Sequence, residues 1–221
     1  MTQTPRTASR GKREGKMDQR VKGKKRMAAG ERSAQIVDVA RAIMIGDGYG
    51  ALTLRAVASG CDVRIATVQH FFGNKAKLFE AVIDSITHDY NEAFGRLESE
   101  TLGNAETKLR RMLHFLIEDN KNAHTAGFFY ELWNLAHRDP IASKALDRLC
   151  DEQLVRFRDL ILRIRPELSL DAGLQRAAVI MAATDGLLLT VGYGRSPPEA
   201  LRGSGQDRLV DILMHVATAQ A

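Results

Sequence analysis

Several ingredients are scarce in this sequence. Its 221 residues include two cysteines, Cys61 and Cys150, far apart and without CxxC spacing. That excludes a disulfide framework and a cysteine zinc site, and fits two buried thiols in a reducing cytoplasm. The six histidines form no HxxxH or HExxH pair, so no metal is expected. GxSxG elbow, P-loop and GxGxxG are all missing. His137-Arg138-Asp139 has the letters of a kinase catalytic loop, but no glycine loop, lysine strand or DFG accompanies it, and it reads as a helix end. An enzyme is therefore not expected, and neither is a cofactor. No run approaches the ~18 apolar residues of a membrane span. The basic N-terminus is not followed by the apolar stretch of a secretory signal. The expectation is a cytoplasmic protein without a membrane partner. No segment alternates cleanly enough for a sheet, and no internal repeat is visible.

The hydrophobic content is that of an ordinary globular protein, 44%, and the length allows one or two domains with a real core. Charge is unevenly placed. Residues 1–30 carry ten Lys and Arg against Glu14 and Asp18, a net +8, while the whole chain is +5. The remainder therefore sums to −3, and the basicity belongs to the tail. Such a tail, with almost no apolar residues, is expected to be disordered. It is either a solvated leader or an arm that neutralises phosphates or enters a minor groove.

Beyond residue 32 the apolar period is helical. Ile36, Val37, Ala40, Ile43 and Met44 form one face of a first helix, with Ser33 as its expected N-cap and Gly46 and Gly48 as its end. Thr53 is expected to cap a short second helix buried through Leu54, Val57 and Ala58. Gly60-Cys61-Asp62 breaks it, Asp62 tolerating a left-handed conformation. A third helix is expected from Arg64 to Phe71. Gly73-Asn74 then turns the chain into a long fourth helix from Lys75, lined by Leu78, Phe79, Val82 and Ile86. Further helices are expected near 104–119, 122–137, 140–165, 171–192 and 206–219. Asp139-Pro140 suits a helix start, and Arg165-Pro166 a helix end. Residues 192–205, rich in Gly and Pro, read as a loop.

Three short helices, the last two joined by a tight turn, describe a helix-turn-helix. The second helix of that motif normally lies in the major groove with its first residues against base edges. Arg64 can fork to a guanine or a phosphate. Ala66 permits close approach, Thr67 can donate to a phosphate oxygen, and Gln69 and His70 are polar. Val63, Val68 and Phe72 anchor the helix, and Phe71 and Phe72 suit packing better than base stacking. Lys75 would add its charge to the N-terminus of the fourth helix in binding phosphate.

The stretch Ile36 to Val82 resembles the DNA-binding head of TetR-type (tetracycline-repressor-like) regulators. The resemblance rests on Gly48-Tyr49, TLRAVA at Thr53–Ala58, the turn, Thr67, Phe71-Phe72, Lys75 and Leu78. Four positions depart from the usual pattern: Arg64 stands where serine is usual, Gln69 for an aromatic, Asp62 for the turn glycine, and Gly73 for the proline before the fourth helix. The resemblance implies an all-α chain of about nine helices. Residues 1–30 would form a disordered basic tail, 31–78 the helix-turn-helix domain, and 79–221 a ligand-binding and dimerisation domain. DNA contacts would come from Thr53, Arg55, Arg64, Ile65, Ala66, Thr67, Gln69, His70, Phe71 and Lys75.

The resemblance further implies a small effector bound between helices four to eight, and a homodimer through the last two helices. The small and apolar residues Ala177, Ala178, Ile180, Met181, Ala182, Leu187 and Leu188, with Leu209, Ile212, Leu213 and Val216, suit that packing. Candidate effector contacts are His114, Phe115, Phe129, Trp133 and His137, beside Phe128 and Tyr130, because ligand sites are mostly apolar with a few polar anchors. The function implied is a dimeric transcriptional repressor, released from an inverted-repeat operator by a small molecule. The alternative is a non-specific architectural DNA-binding protein driven by the basic tail.

Overall fold

A computed structural model describes residues 28–220. The basic tail lies outside them except for its last three residues. Nine α-helices and no strand occur among the described residues.

Local chemistry fixes where most of these helices begin. The first, α1 (Ala29–Ala51), starts four residues before the expected cap at Ser33. Here the Glu31 carboxylate reaches back and accepts from the Ala28 N–H at 3.0 Å, the return half of a capping box. Ser33 consequently lies inside the helix. Gly46 does not end it; the break comes at Gly48, whose φ of 82° and ψ of 166° kink the last turn. Thr53 caps α2 (Leu54–Gly60) by accepting from Ala56 N–H at 3.0 Å. Asp62 takes the left-handed conformation expected of it, φ 52°, and leads into α3 (Ile65–Phe72). Asn74 caps α4 (Lys75–Glu100) through Lys77 N–H at 3.0 Å.

The same chemistry recurs in the body. Asn104 caps α5 (Ala105–Asp119), Asn122 caps α6 (Ala123–Ala136) and Ser169 caps α8 (Leu170–Thr190). Asp139 caps α7 (Pro140–Ile164) by accepting from two backbone N–H groups, with Pro140 in the first turn. His137 closes α6, so His137-Arg138-Asp139 is a helix-to-helix joint. The 192–205 segment is a loop holding one 3-10 turn, Glu199–Leu201, and ends where α9 (Ser204–Thr218) begins.

Two buried clusters hold these helices together. The first joins Ile36, Ala40 and Met44 of α1, Val57 of α2, Val68 and Phe72 of α3, and Leu78 to Ile86 of α4 with Phe128 and Leu132 of α6 and Ala145 and Leu149 of α7. The head's core thus continues into the body. The second joins Phe94, Leu109, Met112, Leu113, Phe157, Leu160, Ala177, Ile180, Val210 and Leu213 farther along the molecule. Helix α4 runs through both, and Tyr90 packs against each.

Helix α8 corrects one expectation. It is long and apolar enough to cross a membrane by length and composition, with mean hydropathy 1.2. Its apolar character serves two faces. Ala177, Ile180 and Leu188 are buried against the chain's own core, while Leu174, Val179 and Leu189 stay exposed. Because both sides of α8 are apolar, its sequence carries no strongly one-sided stripe.

Candidate nucleic-acid interface and body cavity

Helices α2 and α3 pack through Val57, Ala58, Val68 and Phe72, which leaves their other faces open. Around the turn, Thr53, Arg55, Arg64, Ala66, Gln69 and His70 are exposed. They form a polar surface with one small residue, the shape and chemistry needed to approach base edges. Arg64 makes no side-chain cap bond to α3, so its guanidinium stays available. Thr53 accepts the Ala56 N–H, and its exposed hydroxyl can still donate. Thr67 is half-buried at the mouth of a groove lined by Ala58, Ser59, Asp62, Val63 and Arg64.

Three of the candidate contacts sit differently. Ile65 and Phe71 are partly buried and pack against the head core, so they hold α3 in place. Lys75 is turned inward. Its Nζ donates to the Tyr49 carbonyl at 2.7 Å and lies 3.8 Å from the centre of the Tyr49 ring. Desolvation there pushes its pKa down. The exposed cation at this helix start is Lys77, which the sequence pattern did not single out; its spacing of two from Lys75 was the available signal.

A second arrangement joins the head to the body. Glu131 of α6 accepts from the Tyr49 N–H at 3.1 Å. Gly48 is required beside it: its φ is +82°, and a Cβ there would stand 3.3 Å from the Glu131 carboxylate. The Tyr49 ring meets Phe79 edge-on at 5.1 Å. One short run, Gly48-Tyr49, therefore ties α1, the start of α4, and α6.

Within the body, a small cavity of about 20 Å3 lies where α4 to α8 converge. It is lined by Tyr90, Leu116, Asp119, Asn120, Phe129, Gln153, Thr184 and Asp185. Tyr90 donates to Asp119 at 2.5 Å, and Thr125 donates to the other Asp119 oxygen at 3.0 Å. Asn120 donates to the Thr184 carbonyl at 2.8 Å. Burial raises the Tyr90 hydroxyl pKa, helped by the Asp119 charge. Burial alone pushes the Asp185 carboxyl up to about 6.

Of the expected effector contacts, Phe129 lines this cavity. Phe115 and Trp133 belong to the aromatic cluster around it: Phe115 meets Tyr90 edge-on at 6.4 Å, and Trp133 packs on Phe129 at 5.7 Å. His114 sits on the outer side of α5, its Nδ1 3.9 Å from Asp207 of α9. His137 is exposed at the end of α6. Neither histidine reaches the cavity lining. Asp119, Gln153 and Asp185 do, and sequence reading missed them. Asp185, a carboxylate inside the apolar run MAATDGLLLT, was the one legible signal.

Residues 36–82 match the family model described as bacterial regulatory proteins, tetR family. The head of the chain is thus similar to the DNA-binding head of that family. The match covers α2, α3 and most of α1, and stops within α4. Solved structures extend the likeness to the whole fold. GusR of Salmonella enterica is 16% identical, with TM-score 0.69 over 89% of this chain and 100% of its own. A TetR-like transcriptional regulator of Rhodococcus sp. RHA1 is 18% identical, with TM-score 0.60 over 87% and 96%. A Saccharomonospora viridis protein assigned as a transcriptional regulator, solved in complex with choline, is 17% identical, with TM-score 0.66 over 83% and 94%. No curated protein matches by sequence. The matched head and this all-helical fold together support a DNA-binding regulator.

Proposed function

We propose that this chain is a TetR-type regulator, a dimeric, cytoplasmic repressor that leaves an inverted-repeat operator when a small molecule enters its body. The observation that carries the reading is the open face of α2–α3: Arg55, Arg64, Ala66, Gln69 and His70 are exposed, while Val57, Ala58, Val68 and Phe72 on the opposite faces of these helices pack into the head core. Thr53 and Thr67 flank that face, and Lys77 at the start of α4 takes the phosphate role first expected of Lys75. The open side of α8 supports the dimer. Leu174, Ala178, Ala182, Gly186 and Leu189 follow one another at helical spacing, and none is fully buried within the chain. Ile212 of α9 is 61% exposed beside it. Two such faces make a four-helix contact with small residues at its centre.

The body cavity and the Glu131–Tyr49 bond supply a route for release. The cavity wall residue Phe129 and the head-holding Glu131 lie two residues apart on α6. A ligand that binds better when α6 has shifted favours the head position that goes with that shift. The choline seen in the S. viridis protein supports a small-molecule effector for this chain as well.

The test is a random-library DNA selection with the purified protein, followed by binding to the winning sequence with Arg64→Ala and Thr67→Ala. A palindromic consensus is expected, weakened by about 1–3 kcal/mol in Arg64→Ala. A flat selection, with binding that tracks salt alone, would sink this reading in favour of non-specific association.

A further inference from the structure

We infer that the effector is a small organic cation whose ammonium group sits between Asp119 and Asp185, against the rings of Tyr90 and Phe129. This deepens the reading above and rests on it. The chemistry of the lining is one-sided: two carboxylates, two aromatic rings, three neutral polar groups and Leu116, with no lysine, arginine or histidine. Asp119 is held in place by Tyr90 and Thr125. Asp185, on the facing helix α8, has no hydrogen bond or ion pair among the described residues, so its charge is left for something that enters. A carboxylate drawn out of water without a partner is costly, and a cation removes that cost. Aromatic faces add to it by attracting positive charge.

A metal ion is the poorer occupant. No cluster of three or more His, Cys, Asp or Glu suited to a metal occurs among the described residues, and hard cations want six or more oxygens. The cavity of about 20 Å3 has room for roughly one water-sized group. The ammonium end fits as the cavity stands, and the remainder of the ligand has to part Phe129 from α7 and α8. That displacement acts on α6, which holds the head.

The groups facing Asp185 are Tyr90 from α4, Asp119 from α5 and Cys150 from α7; α6 contributes Phe129, which does not titrate. Burial, with Asp185, Asp147 and Asp151, pushes the Cys150 thiol up to about 11, and the Tyr90 hydroxyl is raised as well. Neither changes charge between pH 5 and 7.5, whereas Asp185 ionises across that interval. Cation affinity should therefore rise with pH through about 6.

The experiment is calorimetry on the full chain with butylammonium and tetraethylammonium, set against butanol, butanoate and Mg2+. Binding is expected for at least one ammonium ion and for none of the controls. It should weaken by about tenfold or more in Asp185→Asn and be stronger at pH 7.5 than at pH 5. The pH comparison on unaltered protein keeps the proposal testable if the variant folds poorly. Binding of butanoate, butanol or Mg2+ in preference to the ammonium ions, absence of any ammonium binding, or affinity indifferent to pH would each overturn it. Operator affinity is read separately. Ammonium binding without operator release would leave the cation site standing and refute the release mechanism. Release by a neutral or anionic compound would keep the regulator and refute the cation.

Discussion

Lys75 spends its ammonium group on the head's own backbone and on an aromatic face, while Lys77 is left in solvent. The two should separate cleanly by mutation. Lys75→Ala removes a hydrogen bond and a cation–π contact, and is expected to lower unfolding stability by about 1–2 kcal/mol. Lys77→Ala is expected to leave stability within about 0.5 kcal/mol and to reduce the salt slope of operator binding by about 1. Denaturant unfolding and a salt titration on the selected operator decide the matter. A salt slope lowered by the Lys75 change, with stability intact, would return Lys75 to the phosphate. The pairing shows why a residue's type did not reveal its role. A lysine at a helix N-terminus reads as an anion contact, yet its direction depends on Tyr49, twenty-six residues earlier in the chain.

Elements were legible where a single side chain sets them. Thr53, Asn74 and Asp139 each satisfy free N–H groups of the helix they begin, a bond made within three residues, so sequence alone located those starts. Ser33 failed as a cap because Glu31 could close an earlier turn. The helix-turn-helix was readable for the same local reason. The cavity was not, since Tyr90, Asp119, Phe129, Gln153 and Asp185 come from five different helices and meet only through packing. Helix α8 lies between these cases. Its apolar residues were visible, but which of them face inward was not. Ala177, Ile180 and Leu188 are spent on the chain's own core, whereas Leu174, Ala178, Ala182, Gly186 and Leu189 form the face proposed to meet a second copy. Ala182→Arg places a charge at the centre of that stripe. It is expected to convert the proposed dimer to monomer in light scattering at micromolar concentration, with helical content unchanged, because a charge without a partner in an apolar contact costs several kcal/mol. A variant that stayed dimeric would move the interface elsewhere.

At the scale of the whole molecule, the electrostatics are divided. Residues 31–221 sum to −3, and the eight net positive charges lie ahead of them. A body of that sign repels DNA, so on the proposed reading the long-range attraction comes from the tail, with Arg55, Arg64 and Lys77 acting at close range. On that proposal, reading and attraction fall to different segments. Deleting residues 1–27 should weaken operator binding at low salt and flatten its salt dependence by about 0.9 for each phosphate that the tail no longer neutralises. The ranking of operator over scrambled DNA should survive, because the α3 residues proposed to face the bases remain. Competition binding across a salt series measures both quantities at once. Loss of the ranking together with the affinity would mean that the tail performs the recognition itself, and the architectural reading would replace the one built on α2 and α3.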